Sequence, residues 1–138
     1  MITPGQVRSA LKDYVHLQRF LEVWFPAGAA VANVTRGSGA GRPVERFVLA
    51  RADIQAVMDA LAFSVAQLGP LDRQIVTTHY FQRVGSAETA GRLGISRRAM
   101  FTRLDVIAAE ISSRLNVIDG RLWEAFGRFA QVVLEEND

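Results

Sequence analysis

Residues 86–104 read SAETAGRLGISRRAMFTRL. The stretch holds two short helical patterns around a glycine, and what that glycine does decides the fold. Ser86 is a hydroxyl suited to capping a helix, and Glu88 puts negative charge in the first turn, where the helix dipole favours it. Ala90 and Leu93 recur at a spacing that turns both inward, with Ala90 small enough to let a second helix cross nearby. Gly94 falls where the first helix must stop and the chain reverse within about three residues. Such a reversal asks for a left-handed backbone, which glycine adopts at little cost. Ile95 is placed to plug the core beneath the turn and Ser96 to cap the next helix. Met100, Leu104, Ile107 and Ile111 form that helix's inner face.

Together the patterns predict a helix-turn-helix. In that arrangement the first helix braces across a DNA backbone and the second enters the major groove by its N-terminal end. The outward residues of the second helix are then Ser96, Arg97, Arg98, Phe101, Thr102 and Asp105. Arg97 and Arg98 suit bidentate hydrogen bonds to guanine, or phosphate contacts. Thr102 suits a thymine methyl or a phosphate. Phe101 either meets a thymine methyl or sugar, or packs against the linker or a partner. Ser86 and Thr89, at the start of the bracing helix, are expected to reach phosphates. The glycine pattern alone also suits a plain helical hairpin.

Outward from this motif the chain stays helical in its patterning. Thr3-Pro4 is a helix start, a hydroxyl cap followed by proline at the first helical position. Val7, Leu11, Tyr14, Leu17, Leu21 and Trp24 continue it as an apolar stripe that Pro26 ends. Residues 26–43 are rich in glycine and read as a flexible linker. Phe47, Ala50, Ile54, Val57, Leu61, Val65 and Leu68 then alternate steps of three and four. Gly69-Pro70 breaks the chain and opens PLDRQIVTTHYF, whose inner face is expected to hold Leu71, Ile75, and Thr78 or His79, with Phe81 nearby. Gln82 to Gly85 reads as a turn. After Asp119-Gly120, a last helix carries Leu122, Phe126, Phe129 and Val133 on one side. No strand pattern and no internal repeat is present in the sequence.

The reading is therefore an all-α helical bundle, a helix-turn-helix with flanking N- and C-terminal helices. The expected organisation is an N-terminal amphipathic helix (1–25), a Gly-rich linker (26–43), a long helix plus DNA-binding domain (44–118), and a C-terminal helix (119–138) as a candidate oligomer contact. At 138 residues this is one domain, or one small module with helical extensions.

Composition narrows the chemistry. Apolar residues make up 49% of the chain, enough for a core without staples. Cysteine is absent from the sequence, which excludes disulfides, thiolate metal sites and a cysteine nucleophile. The N-terminal segment lacks a signal-peptide pattern, and no run of about 18 apolar residues exists. A cytoplasmic protein of a bacterial or phage-infected cell, away from membranes, is the expectation. Net charge is only +2, but the basic residues are fifteen arginines and the single Lys12. Arginine suits phosphates and base edges, and a GC-rich genome supplies it equally well. His16 and His79 lack carboxylates at ligand spacing, so no metal is expected. RGSGAG lacks the lysine-serine pair and preceding strand of a phosphate loop. Neither a cofactor nor an enzymatic activity is expected.

Residues 68–115 as a whole resemble region 4 of bacterial sigma factors. The resemblance rests on Leu71-Asp72-Arg73, Tyr80-Phe81, Glu88-Thr89-Ala90 and Leu93-Gly94-Ile95-Ser96. Two positions depart from that pattern: Thr89 replaces an apolar residue, and Gly91 weakens the bracing helix by about 1 kcal/mol relative to alanine. No region 2 precedes the match, so a full sigma factor is not expected. The layout is more similar to the ArpU/RinA-type phage and prophage transcription regulators, small proteins in which a sigma-like helix-turn-helix follows a long helix. That resemblance implies a sequence-specific regulator of double-stranded DNA, with RNA polymerase as a further candidate partner. The N- and C-terminal amphipathic helices offer more apolar stripe than one small module can bury, which points to a homodimer or higher homo-oligomer. The alternative is a phage small terminase-like DNA-packaging recognition subunit forming an oligomeric ring. A third reading is an interaction module that has kept the fold and lost DNA binding.

Overall fold

The computed structural model of the chain describes residues 2–24, 51–118 and 120–136. The expectations for the linker, the stop at Pro26, and the helical pattern at Phe47 and Ala50 lie outside those residues. Among the described residues the protein is all-α, with six helices and no strand. They are α1 (Pro4–Trp24), α2 (Arg51–Ala66), α3 (Pro70–Ile75), α4 (Ser86–Leu93), α5 (Arg97–Leu115) and α6 (Gly120–Glu136). The chain divides into two compact units, Met1–Val15 with Ala60–Val117, and His16–Asp59 with Ile118–Asp138.

In the first unit, α1 starts as the sequence predicts and with one addition. The Gln6 N–H donates to Thr3 Oγ1 at 3.2 Å, and the Thr3 N–H donates back to Gln6 Oε1 at 2.9 Å. This reciprocal box satisfies two donors that the helix cannot satisfy itself. Val7, Ala10 and Leu11 are buried from α1, and Leu61, Val65 and Leu68 from the end of α2 and beyond it. The long α5 supplies most of the rest. Met100, Leu104, Ile107, Ala108, Ile111 and Leu115 are buried at steps of three and four, the period of a helix laid against a core. Each of these side chains except the small Ala108 contributes roughly 1.5–3 kcal/mol by leaving water. Asn116 then ties the end of α5 to the chain start, accepting from the Ile2 N–H at 2.8 Å and donating to the Ile2 carbonyl at 3.3 Å.

α3 departs from the expected straight helix. After Ile75 the backbone widens into a π-helical turn, Val76–Phe81, closed by the Gln82 N–H donating to the Thr77 carbonyl at 2.9 Å. The wider turn shifts the register, so Ile75 and Val76 are buried side by side, whereas Thr78, His79 and Phe81 are only half-buried. Leu71, expected inside, is 38% exposed, and Asp72 is buried in its place. The reason is electrostatic: Asp72 faces Arg103 of α5. Arg103 Nε donates to Asp72 Oδ1 at 2.9 Å, and its Nη2 donates to the other carboxylate oxygen. This bidentate geometry is the strong form of the pair, and it fixes α5 against α3. The hydrogen bond to Asp72 raises the Arg103 pKa above its ordinary value, with burial pulling the other way.

The second unit takes its buried face from Leu17, Phe20 and Leu21 of α1, Ile54, Val57 and Met58 of α2, and Phe126, Phe129 and Val133 of α6. Phe20 meets Phe129 edge to face, 6.0 Å between ring centres, a favoured aromatic arrangement. Leu122, expected on the buried stripe, is only half-buried.

Candidate nucleic-acid interface

The reversal between α4 and α5 is built by the last residues of α4. Gly94 has φ 69 and ψ 29, the left-handed conformation the sequence predicts. The Ile95 N–H donates to the Ala90 carbonyl at 3.0 Å, and the Gly94 N–H donates to the Gly91 carbonyl at 3.3 Å. This is a Schellman motif, which ends the helix by turning its last carbonyls onto the following amides. Ala90 is buried, whereas Leu93 and Ile95 are half-buried. Two residues after Gly94, Ser96 caps α5, its Oγ accepting from the Ala99 N–H at 3.0 Å.

The cap aims the first two turns of α5. Ser96, Arg97, Arg98, Phe101 and Thr102 are all exposed, while Met100 behind them is fully buried. Phe101 keeps 49% of its surface open. From Arg97 to Asp105 the exposed face is about 12 Å long at the rise of an α-helix.

The position of its charges sets this face apart, since Arg19, Arg73 and Arg128 are likewise exposed without an ion pair among the described residues. Glu88 and Arg92 pair within α4 at 2.9 Å, Arg103 is held by Asp72, and Glu110 pairs with Arg114 at 3.5 Å. Arg97 and Arg98 make no ion pair or hydrogen bond among the described residues. They also occupy the first turn of α5, which has no acidic residue. Cations at a helix N-terminus oppose the dipole and cost about 0.3–1 kcal/mol each. The helix thus carries two arginines where its own stability is best served by carboxylates.

Three of the sequence-predicted site residues sit differently. Thr89 is fully buried, its Oγ1 directed at the Val84 carbonyl at 3.4 Å. It is not available to a phosphate, and the expectation for that residue is corrected: it occupies a core position with its hydroxyl turned to the backbone. Ser86 is half-buried as the first residue of α4, and Gly85 takes the cap position without any side-chain cap. Asp105 is exposed but engaged, its carboxylate ion-paired with Arg8 of α1. Sequence reasoning missed Arg8, Asp72 and Arg103. The two pairings join residues far apart in the chain, and no local spacing signals them.

Among the described residues, no group of three or more His, Asp or Glu is placed to hold a metal ion. No helix among them is long and apolar enough to cross a membrane. In comparisons with family models, curated proteins and solved structures, none matches this chain.

Proposed function

We propose that the chain is a sequence-specific double-stranded DNA-binding transcription regulator of phage or prophage type. In this reading α4 and α5 form a helix-turn-helix, α4 braces across the backbone, and α5 enters the major groove. The observation that carries it is the pair Arg97 and Arg98, exposed and unpartnered at the dipole-unfavourable end of α5. Local stability is sacrificed there, and such violations of local rules concentrate at functional sites. The Schellman turn and the Ser96 cap support the reading by holding that end clear of the core. Arg97 and Arg98 then donate to guanine edges or phosphates, Thr102 and Phe101 meet thymine methyls or sugars, and Ser96 borders the backbone. A homodimer is the accompanying assembly, on the ground that two-fold proteins read two half-sites one helical turn apart; the apolar stripes of α1 and α6 do not argue for it, because they are buried within the chain.

Selection of bound sequences from a random duplex pool tests this directly. Enrichment of a defined motif is the expected result, with affinity that falls steeply as salt rises. Failure to enrich any sequence removes the regulator reading. A dimer in sedimentation is also expected; a closed ring instead assigns the chain a packaging role.

A further inference from the structure

The first unit contains a cavity of about 400 Å3 lined by Lys12, His79, Tyr80, Arg83, Val84 and Gly85. Three of these side chains are basic and none is acidic. Lys12, the chain's single lysine, comes from α1. His79 and Tyr80 come from the π-helical turn, and Arg83 from the segment leading into α4. Arg83 Nη2 lies 3.5 Å from the Lys12 carbonyl oxygen, so the guanidinium rests on the very turn that carries the ammonium. Arg83 also holds φ 57, the positive-φ non-glycine position among the described residues. A left-handed arginine is strained and persists only where its surroundings enforce it.

Neither Lys12 nor Arg83 has a carboxylate partner among the described residues. Both cations therefore line the cavity without an ion pair of their own among the described residues. The wall beside them is ordered. His79 Nδ1 lies 2.9 Å from the Val84 carbonyl, which can only accept, so Nδ1 carries the proton and Nε2 is the remaining polar atom of the ring. The His79 and Tyr80 rings lie 4.9 Å apart. Burial raises the Tyr80 phenol's pKa; Arg8 lowers it and the Asp105 carboxylate, which Arg8 pairs, raises it.

We propose that this cavity binds a phosphoryl group. Arg83 supplies a fork for two of its oxygens, and Lys12 supplies a compact charge. Two sources offer that chemistry: a free phosphate-bearing solute, or a backbone phosphate of duplex DNA. The second source rests on the regulator reading; the first does not.

The test compares the full chain with the double variant Lys12→Gln/Arg83→Asn, asparagine being tolerant of the left-handed backbone. Circular dichroism checks that the variant is folded. In one arm, melting is followed in sodium phosphate and in sodium chloride at equal ionic strength. In the other, affinity for a mixed-sequence duplex is measured against salt. A phosphate-specific rise in melting temperature that the variant loses identifies a free solute as the ligand. That result stands even if the wild type binds no duplex, in which case the regulator reading fails alone. A salt slope shallower by about 1.8 in the variant, two contacts at about 0.9 each, identifies the DNA backbone. Equal melting in both salts with an unchanged slope overturns the proposal, as does a phosphate shift that persists in the variant with an unchanged slope.

Discussion

α4 and α5 are neighbours in sequence, yet they begin under opposite electrostatic rules. α4 carries Glu88 in its first turn, paired one turn on with Arg92. The acid lies toward the positive end of the dipole and the base toward the negative end, as helix stability favours. α5 opens with Arg97 and Arg98 and no acid. Its stability comes instead from the Ser96 cap and from a buried face running from Met100 to Leu115. One helix start follows the dipole and the other opposes it. The comparison is close because both helices share the same turn.

The largest effect expected from breaking this contrast is on binding. Replacing Arg97 and Arg98 together with alanine should weaken binding to a selected duplex by about 1–3 kcal/mol for each arginine that contacts a base. The melting temperature should not fall, because neither side chain has a partner to lose. Fluorescence anisotropy alongside a melt separates the two readouts. Unchanged affinity would place the interface elsewhere.

Next in size is the turn itself. Gly94 has open space where a Cβ would stand, so only its left-handed backbone opposes a side chain. Gly94→Ala should therefore lose about 1–2 kcal/mol of stability. Gly91, three residues earlier, is exposed, also has open space, and lies inside the helix. Gly91→Ala should gain up to about 1 kcal/mol. Opposite signs for the same substitution within one turn of chain are the expectation, measured by denaturant unfolding. The same sign at both positions would move the reversal away from Gly94.

How much of this was legible follows from how local each feature is. The Thr3-Pro4 start, the Gly94 reversal, the Ser96 cap and the inner face Met100, Leu104, Ile107 and Ile111 each depend on residues within a few positions, and the sequence reveals them all. Of the candidate site, Ser96, Arg97, Arg98, Phe101 and Thr102 stand exposed where helical periodicity puts them. Thr89 departs from the expectation set by its place at the start of the bracing helix, because its hydroxyl turns to the Val84 carbonyl inside the core. Leu71 lies outside the core because Asp72 finds Arg103 across a gap of 31 residues, and an apolar pattern carries no information about such a partner. The π-helical turn is invisible to any period of 3.6, since its one extra residue per turn is what breaks the period.

The smallest effect is the sharpest test of the opening contrast. If α5 carries its arginines at a cost to itself, charge reversal should repair the helix while abolishing its use. Arg97→Glu places a carboxylate in the first turn, where the dipole favours it, and should raise stability by about 0.3–1 kcal/mol at low ionic strength. The gain should shrink as salt is added, because both groups are exposed and screened. The same variant should bind duplex DNA more weakly than Arg97→Ala, since a carboxylate repels phosphates that an alanine merely ignores. A variant more stable than the wild type and poorer at binding is the signature of a residue kept for an external partner. A variant that loses stability as well would mean that Arg97 serves the fold, and the distinction between the two helix starts would then be one of composition only.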